Sequence, residues 1–150
     1  MAVYIVKPEA IDRRKEIRDF IKANSRLTIQ YSKMMVMTEE AIHHLFIDDR
    51  ETPLLAAIKA HVLGKEVEVN LVVSEGSTEE ELAAELVRVT GTHFNPTLCE
   101  KNTVRAVFGS DDFNMYHNQK YFLNAVHRTA PNESREATEW ALRNLFTTRE

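Results

Sequence analysis

Apolar residues along the chain switch between a spacing of two and a helical spacing, and a proline, a glycine or a capping residue marks most of the changes. Val3 to Val6 is a β-rich run that ends at Lys7-Pro8, because proline cannot continue a central strand. Ala10, Ile17 and Phe20-Ile21 then recur among charged residues, which predicts an amphipathic helix stopping near Asn24-Ser25. Leu27 to Met37 reads as a second strand, with Met34, Met35 and Met37 as core fillers. Thr38 caps a short helix through Phe46, and Thr52-Pro53 opens another that Gly64 closes. Glu66 to Val73 alternates, placing Val67, Val69, Leu71 and Val73 on one buried face. Ser77 or Thr78 caps a helix whose stripe is Leu82, Leu86 and Val89 and whose stop is Gly91. Residues 92 to 121 read as irregular, Leu123 to His127 as the last strand, and Asn132 as the cap of a final helix burying Ala137, Trp140, Ala141 and Leu145.

The predicted order is β-α-β-α-α-β-α-β-α. It implies an α/β (α+β) fold of the ferredoxin-like type, a four-stranded antiparallel sheet with helices packed on it, in one domain over residues 1-150. A net charge of −4 gives no basic surface for nucleic acid as the main partner. Polyphosphate binding needs only a few cations gathered in one cleft. Cys99 is the single cysteine, which fits a reducing compartment, and the start of the chain reads as neither signal peptide nor membrane span. The expectation is a cytoplasmic protein without a membrane partner. His43-His44, the Glu79 to Glu81 run and Asp111-Asp112 read as helix surface, helix start and turn rather than as metal sites.

Three features carry candidate chemistry. Lys7 lies at the end of the first strand, where α/β sheets bind ligands, and offers a full charge to a phosphate or sugar hydroxyl. Arg88 and Arg105 would clamp non-bridging phosphate oxygens if the fold brings them together. His127 sits in an apolar strand. A neutral imidazole there can attack phosphorus with one nitrogen while an acceptor holds the other. Asn124 is three residues earlier, and residues three apart point to opposite faces of a regular strand. For both to share a site, Asn124 must precede the strand or a bulge must intervene.

Together these pieces resemble nucleoside diphosphate kinase. The opening Val3-Tyr-Ile-Val-Lys-Pro-Glu-Ala-Ile11 is similar to that family's strand-Lys-Pro-Asp-Ala start. Phe46-Ile-Asp-Asp-Arg50 followed by Pro53 is similar to its tyrosine-bearing segment. Arg88, Asn95-Pro96, Thr103 and Arg105, then Asn124-x-x-His127 and a helix with Trp140, follow its order from residue 3 to about 146. The resemblance implies a ping-pong transfer of the γ-phosphoryl group of a nucleoside triphosphate to His127 and on to a nucleoside diphosphate. It implies that Lys7 touches the γ-phosphate and the sugar, that Arg88 and Arg105 hold phosphates, that Asn124 binds the sugar, and that Mg2+ bridges the phosphates. It also implies a homo-oligomer.

Several positions depart from the pattern. Phe46 replaces the tyrosine near the histidine, Leu54 the base-stacking phenylalanine, and Phe94 the phosphate-binding threonine. Arg128-Thr129 stands where the family has Gly-Ser, and Gly109 to Phe122 is longer than in the short bacterial and animal enzymes. For the carboxylate that orients His127, counting lands on Thr138; Glu139 beside it is the assignment made, with Glu136 about one turn back as the alternative. These losses erode the base pocket and predict weak discrimination among bases. They also leave open a regulatory nucleotide-binding relative with little transfer, and a ferredoxin-like structural domain with no nucleotide role.

Overall fold

The computed structural model describes residues 1–147. Its central sheet is antiparallel, with strands in the order β2-β3-β1-β6: β1 Ala2–Val6, β2 Thr28–Val36, β3 Glu66–Val73 and β6 Val126–Arg128. Helices α1 (Arg14–Asn24), α2 (Glu39–Leu45), α3 (Leu54–Val62), α4 (Glu79–Thr90), α5 (Val104–Phe108) and α6 (Ser134–Asn144) surround it. This is the ferredoxin-like arrangement the periodicity predicts. A 3-10 turn over Pro8–Arg13 precedes α1, so the expected first helix begins later than its apolar spacing suggests.

All five residues of β1 are buried because helices cover both faces of the sheet. Val3, Ile5, Val67, Val69 and Leu71 pack with α2, α3 and α6 on one side. Tyr4, Val6 and Val72 pack with α1 and α4 on the other. The one-sided burial expected for β3 is therefore incomplete: Glu68 and Asn70 are buried as well. Glu68 is accommodated by hydrogen bonds from Arg18 at 3.0 Å and Asn70 at 3.0 Å, which replace the water a carboxylate loses inside. Met37 is core, whereas Met34 is exposed on the edge strand β2, so the filler role assigned to it does not hold.

Thr38 caps α2 through the Ala41 N–H, and Thr78 and Glu81 form a reciprocal capping box on α4. Asn132 does not cap α6. Glu133 takes the position before Ser134, and its carboxylate accepts the N–H groups of Ala130 and Asp48, both at 2.6 Å.

The stretch expected to be irregular contains α5 and a separate hairpin, β4 Phe113–Tyr116 and β5 Gln119–Phe122. Its two-residue turn, His117-Asn118, has positive φ at both positions (52° and 65°), the backbone of a type I′ hairpin turn. The last strand is also displaced: Leu123 and Asn124 precede it, and regular pairing with β1 covers Tyr4 to Val6 against Arg128 to Val126.

Candidate active site

One pocket, at the end of β1 and β6, is lined by Lys7, Phe46, Asp49, Leu54, Ile58, Phe94, Arg105, Lys120, Tyr121, Phe122, Asn124, Val126 and His127. Seven of the nine residues singled out in the sequence are in it; Arg88 and Glu139 are not.

His127 enters from β6, and its placement depends on how α2 ends. The last carbonyls of a helix have no partner within it. Leu45 O is such a carbonyl, and it lies 2.8 Å from His127 Nε2. A carbonyl only accepts, so Nε2 carries the proton. Burial is the largest influence on the ring's proton affinity and lowers it; the bond to Leu45 opposes this, and the charges of Arg105, Arg128 and Lys7 add to it, leaving a pKa of about 3. The ring is thus neutral at physiological pH and keeps a lone pair on Nδ1, for which the described residues supply no hydrogen-bond partner. Phe46 stacks on it at 3.9 Å between centroids and 22° between planes, fixing its orientation from below without a hydroxyl.

A backbone kink allows Asn124 to join His127. Ala125 has φ +74°, and Val126 N–H bonds to Asn124 O at 2.9 Å, a three-residue turn of the rarer positive-φ kind. Asn124 therefore lies outside the regular strand, as sharing a site requires. Its Oδ1 accepts from Lys7 Nζ at 2.7 Å and its Nδ2 donates to Phe94 O at 2.9 Å. Lys7 also donates to Phe122 O at 3.2 Å, lies 3.4 Å from Glu9 Oε2, and stands 4.2 Å from the centre of the Tyr121 ring. Burial lowers its pKa to about 8 despite the opposing charge of Glu9, with Arg105 contributing in the same direction.

Arg105, on α5, donates only to main-chain carbonyls: Val126 O at 3.1 Å, His93 O at 3.0 Å and Gly91 O at 3.4 Å. Gly91, φ +117°, is required where α4 stops, since a side chain there would meet Cys99 Sγ at 2.8 Å. The carbonyl freed at that stop also accepts from Arg128 Nη2 at 3.2 Å. Two guanidiniums thus converge on one oxygen, and no carboxylate among the described residues lies within 4 Å of either. Burial, and then the charge of Arg128, lower the pKa of Arg105 to about 10, which leaves it a cation.

Arg88 is not part of this group. It projects from α4 to Glu85 at 2.7 Å and to the Asn24 carbonyl at 2.9 Å, with its side chain 56% exposed. The paired clamp expected of Arg88 and Arg105 is corrected accordingly: the second guanidinium beside Arg105 is Arg128. Glu139 is corrected too. It is an exposed residue of α6 near Met1, Glu79 and Arg135, and Glu136 pairs with Arg50 and His44. Among the described residues no carboxylate is bonded to His127; the main-chain carbonyl of Leu45 is. Thr129 is buried against Val3 and Ser134, so its hydroxyl serves the sheet rather than the pocket.

Asp49 was not anticipated. Among the described residues it is the one carboxylate lining the pocket, and burial, then the charge of Asp48, raise its pKa to about 6. The hairpin residues Lys120, Tyr121 and Phe122 were also missed, because the segment reads as a loop.

Among the described residues no group of three or more metal-ligating side chains occurs, and no helix is long and apolar enough to cross a membrane. No curated protein matches the chain. Solved structures do. Nucleoside diphosphate kinase from Halobacterium salinarum, in complex with CDP, superposes with a TM-score of 0.70 at 15% identity, over 97% of this chain and 87% of that one. The Encephalitozoon cuniculi enzyme, in a cubic apo form, gives 0.69 at 15% identity, over 96% and 87%. The Borrelia burgdorferi enzyme, a transition-state mimic with bound vanadate and ADP, gives 0.65 at 21% identity, over 99% and 86%. At these identities the likeness carries the fold. The family itself comes from the sequence model described as Nucleoside diphosphate kinase, which matches residues 1–147. With that match spanning the sheet, the kinked strand and the helices around the pocket, this chain belongs to the nucleoside diphosphate kinase family.

Proposed function

We propose that the protein is a nucleoside diphosphate kinase that transfers the γ-phosphoryl group of a nucleoside triphosphate to a nucleoside diphosphate through a phosphohistidine at His127. The observation that carries this is the imidazole itself: its Nε2 proton is held by Leu45 O, it is neutral, and it lines the same pocket as Lys7, Arg105 and Asn124. Nδ1 attacks the γ-phosphorus and the bond to the bridging β,γ-oxygen breaks, releasing the diphosphate. In the second half-reaction the terminal oxygen of another diphosphate attacks the phosphorus and the N–P bond breaks. Nε2 keeps its proton throughout, so the ring needs no general base.

Lys7, Arg105 and the adjoining Arg128 supply the positive charge, and Asn124 a polar contact for the sugar. Positioning and charge stabilisation of this kind account for most of the acceleration in phosphoryl transfer. Mg2+ would arrive with the substrate phosphates, and Asp49 is the pocket carboxylate that would be available to help hold it. When bound, the ion neutralises charge on the transferring group.

The experiment is incubation with γ-phosphate-labelled ATP and Mg2+. An acid-labile, base-stable phosphoprotein is expected from the wild type and none from His127→Asn. A wild type that binds ADP but takes no label would favour a regulatory nucleotide-binding relative. One feature supports that second reading: Lys7 and Arg105 are already satisfied by acceptors of the protein itself.

A further inference from the structure

The hairpin forms one wall of the pocket, and Leu54 and Ile58 of α3 form another. Where the family pattern has an aromatic platform for the base, α3 offers only Leu54. The hairpin offers a ring. Along β5 the side chains alternate: Tyr121 turns inward, buried against His61 with centroids 4.5 Å apart, and Lys120 and Phe122 take the other face. We propose that the nucleobase stacks on Phe122, so that the hairpin carries the base-recognition surface in place of α3. The inference rests on the nucleotide reading above.

Four observations support it. The ring of Phe122 touches one aromatic neighbour, Phe113, at 6.1 Å and 67°, an edge contact that leaves a face for stacking. Its carbonyl is bonded to Lys7 Nζ, so the ring is tied at a fixed distance from the phosphate end of the site. Lys120 Nζ stands over one side of the Phe122 ring, 5.8 Å from its centre, and pairs with no carboxylate among the described residues, adding positive charge at the rim. Finally, the pocket is about 120 Å³, smaller than the roughly 300 Å³ of sites that enclose a small molecule. It has room for the phosphate end and leaves the base at the mouth, against Phe122. Stacking is indifferent to base identity, because every base has a π-face, so recognition by this wall is broad.

The test separates base from phosphate by comparing magnesium ADP with magnesium pyrophosphate. In F122W the new indole should report ADP but not pyrophosphate by a change in emission, with the wild type, whose only tryptophan is Trp140, as the baseline. By calorimetry, Phe122→Ala should weaken ADP about tenfold and leave pyrophosphate unchanged, the range expected for loss of one stacked base. F122W should keep wild-type ADP affinity, and Leu54→Ala should change it less than Phe122→Ala does. ADP binding to Phe122→Ala at wild-type strength overturns the inference while the nucleotide reading stands. An equal loss of ADP and pyrophosphate in Phe122→Ala, or an indole that responds equally to both ligands, overturns it too. A wild type that binds neither ligand removes the nucleotide reading itself.

Discussion

Lys7 is enclosed by Asn124, Phe122, Glu9 and Tyr121, and under the proposed phosphotransfer its protonation sets a limit on the rate. Its pKa of about 8 means that the ammonium is lost as pH rises through that value, well below the ordinary lysine range. The imidazole, with a pKa of about 3, stays neutral over the same span. Phosphotransfer should therefore hold steady from about pH 6.5 to 7.5 and fall above about pH 8 as phosphate loses its cation. Lys7→Arg, charged throughout, should remove the alkaline limb from a pH-rate profile even if it lowers the plateau. A wild-type rate that keeps rising past pH 9 would contradict the assignment. Among the guanidiniums, Arg105→Ala and Arg128→Ala should each slow transfer by roughly a hundredfold, the scale of one lost charge-stabilising donor, while Arg88→Ala stays close to wild type. Steady-state kinetics of the three variants checks the order.

Seven pocket residues were legible because Lys7, Arg105, Asn124 and His127 sit in or beside a strand or in a helix's first turn, and Phe46, Leu54 and Phe94 fall at places set by the family's order of residues. Arg88 and Glu139 were not, because spacing gives a helical residue's position along the axis but not the direction in which its face is turned. About 100° separates one residue from the next on a helix. Arg128 was noted as a missing glycine, when its gain of a guanidinium was the more informative change.

The hairpin belongs to the scale of elements, and a chain of hydrogen bonds holds it. Asn114 Nδ2 donates to Tyr116 Oη at 3.0 Å. Tyr116 Oη is hydrogen-bonded to His61 Nδ1 at 3.1 Å, and His61 Nε2 donates to the Glu9 carboxylate at 2.8 Å. Burial alone would raise the Glu9 carboxyl, but the His61 bond and the charge of Lys7 outweigh it and hold it at about 2. The hairpin is thus fastened through α3 to the residue that also faces Lys7 and the Ala125 N–H. Tyr116→Phe should cost about 1 kcal/mol locally, enough for roughly fivefold faster amide exchange within 113–122 and little change in β1 and β3. Hydrogen-exchange mass spectrometry reads this; uniform acceleration across the sheet would mean that the contact supports the whole fold. The hairpin escaped the sequence because His117-Asn118 lacks the glycine that marks such turns, so only the αL tolerance of asparagine hinted at it. The displaced last strand escaped for a related reason: nothing in Ala125 announces a positive φ.

Over the whole molecule, two cores flank one sheet, and the buried titratable groups make stability depend on pH in opposing directions. His127 has a lower pKa folded (about 3) than unfolded (about 6.5), so between those values the unfolded chain binds the extra proton and acidification destabilises. Asp49, raised to about 6, and Glu133, raised to about 7 chiefly by burial, work the other way, taking up protons in the folded state as pH falls. His127→Asn removes only the first contribution. It should lose less stability than the wild type between pH 6.5 and 4, seen as a smaller drop in the urea midpoint; parallel curves would show that the imidazole titrates normally in the folded protein. The class of fold was legible at this scale because strand and helix spacings survive even where individual boundaries move.

The bend at Ala125 has one more consequence. It is held on both sides, by Lys7 N–H bonding to Ala125 O at 2.9 Å and by Ala125 N–H bonding to Glu9 Oε2 at 3.3 Å. The angle between the Asn124 amide and the His127 ring is therefore settled when the chain folds, at the conformational cost of a disfavoured turn. Under the proposed function, none of an incoming nucleotide's binding energy would have to go into swinging one toward the other.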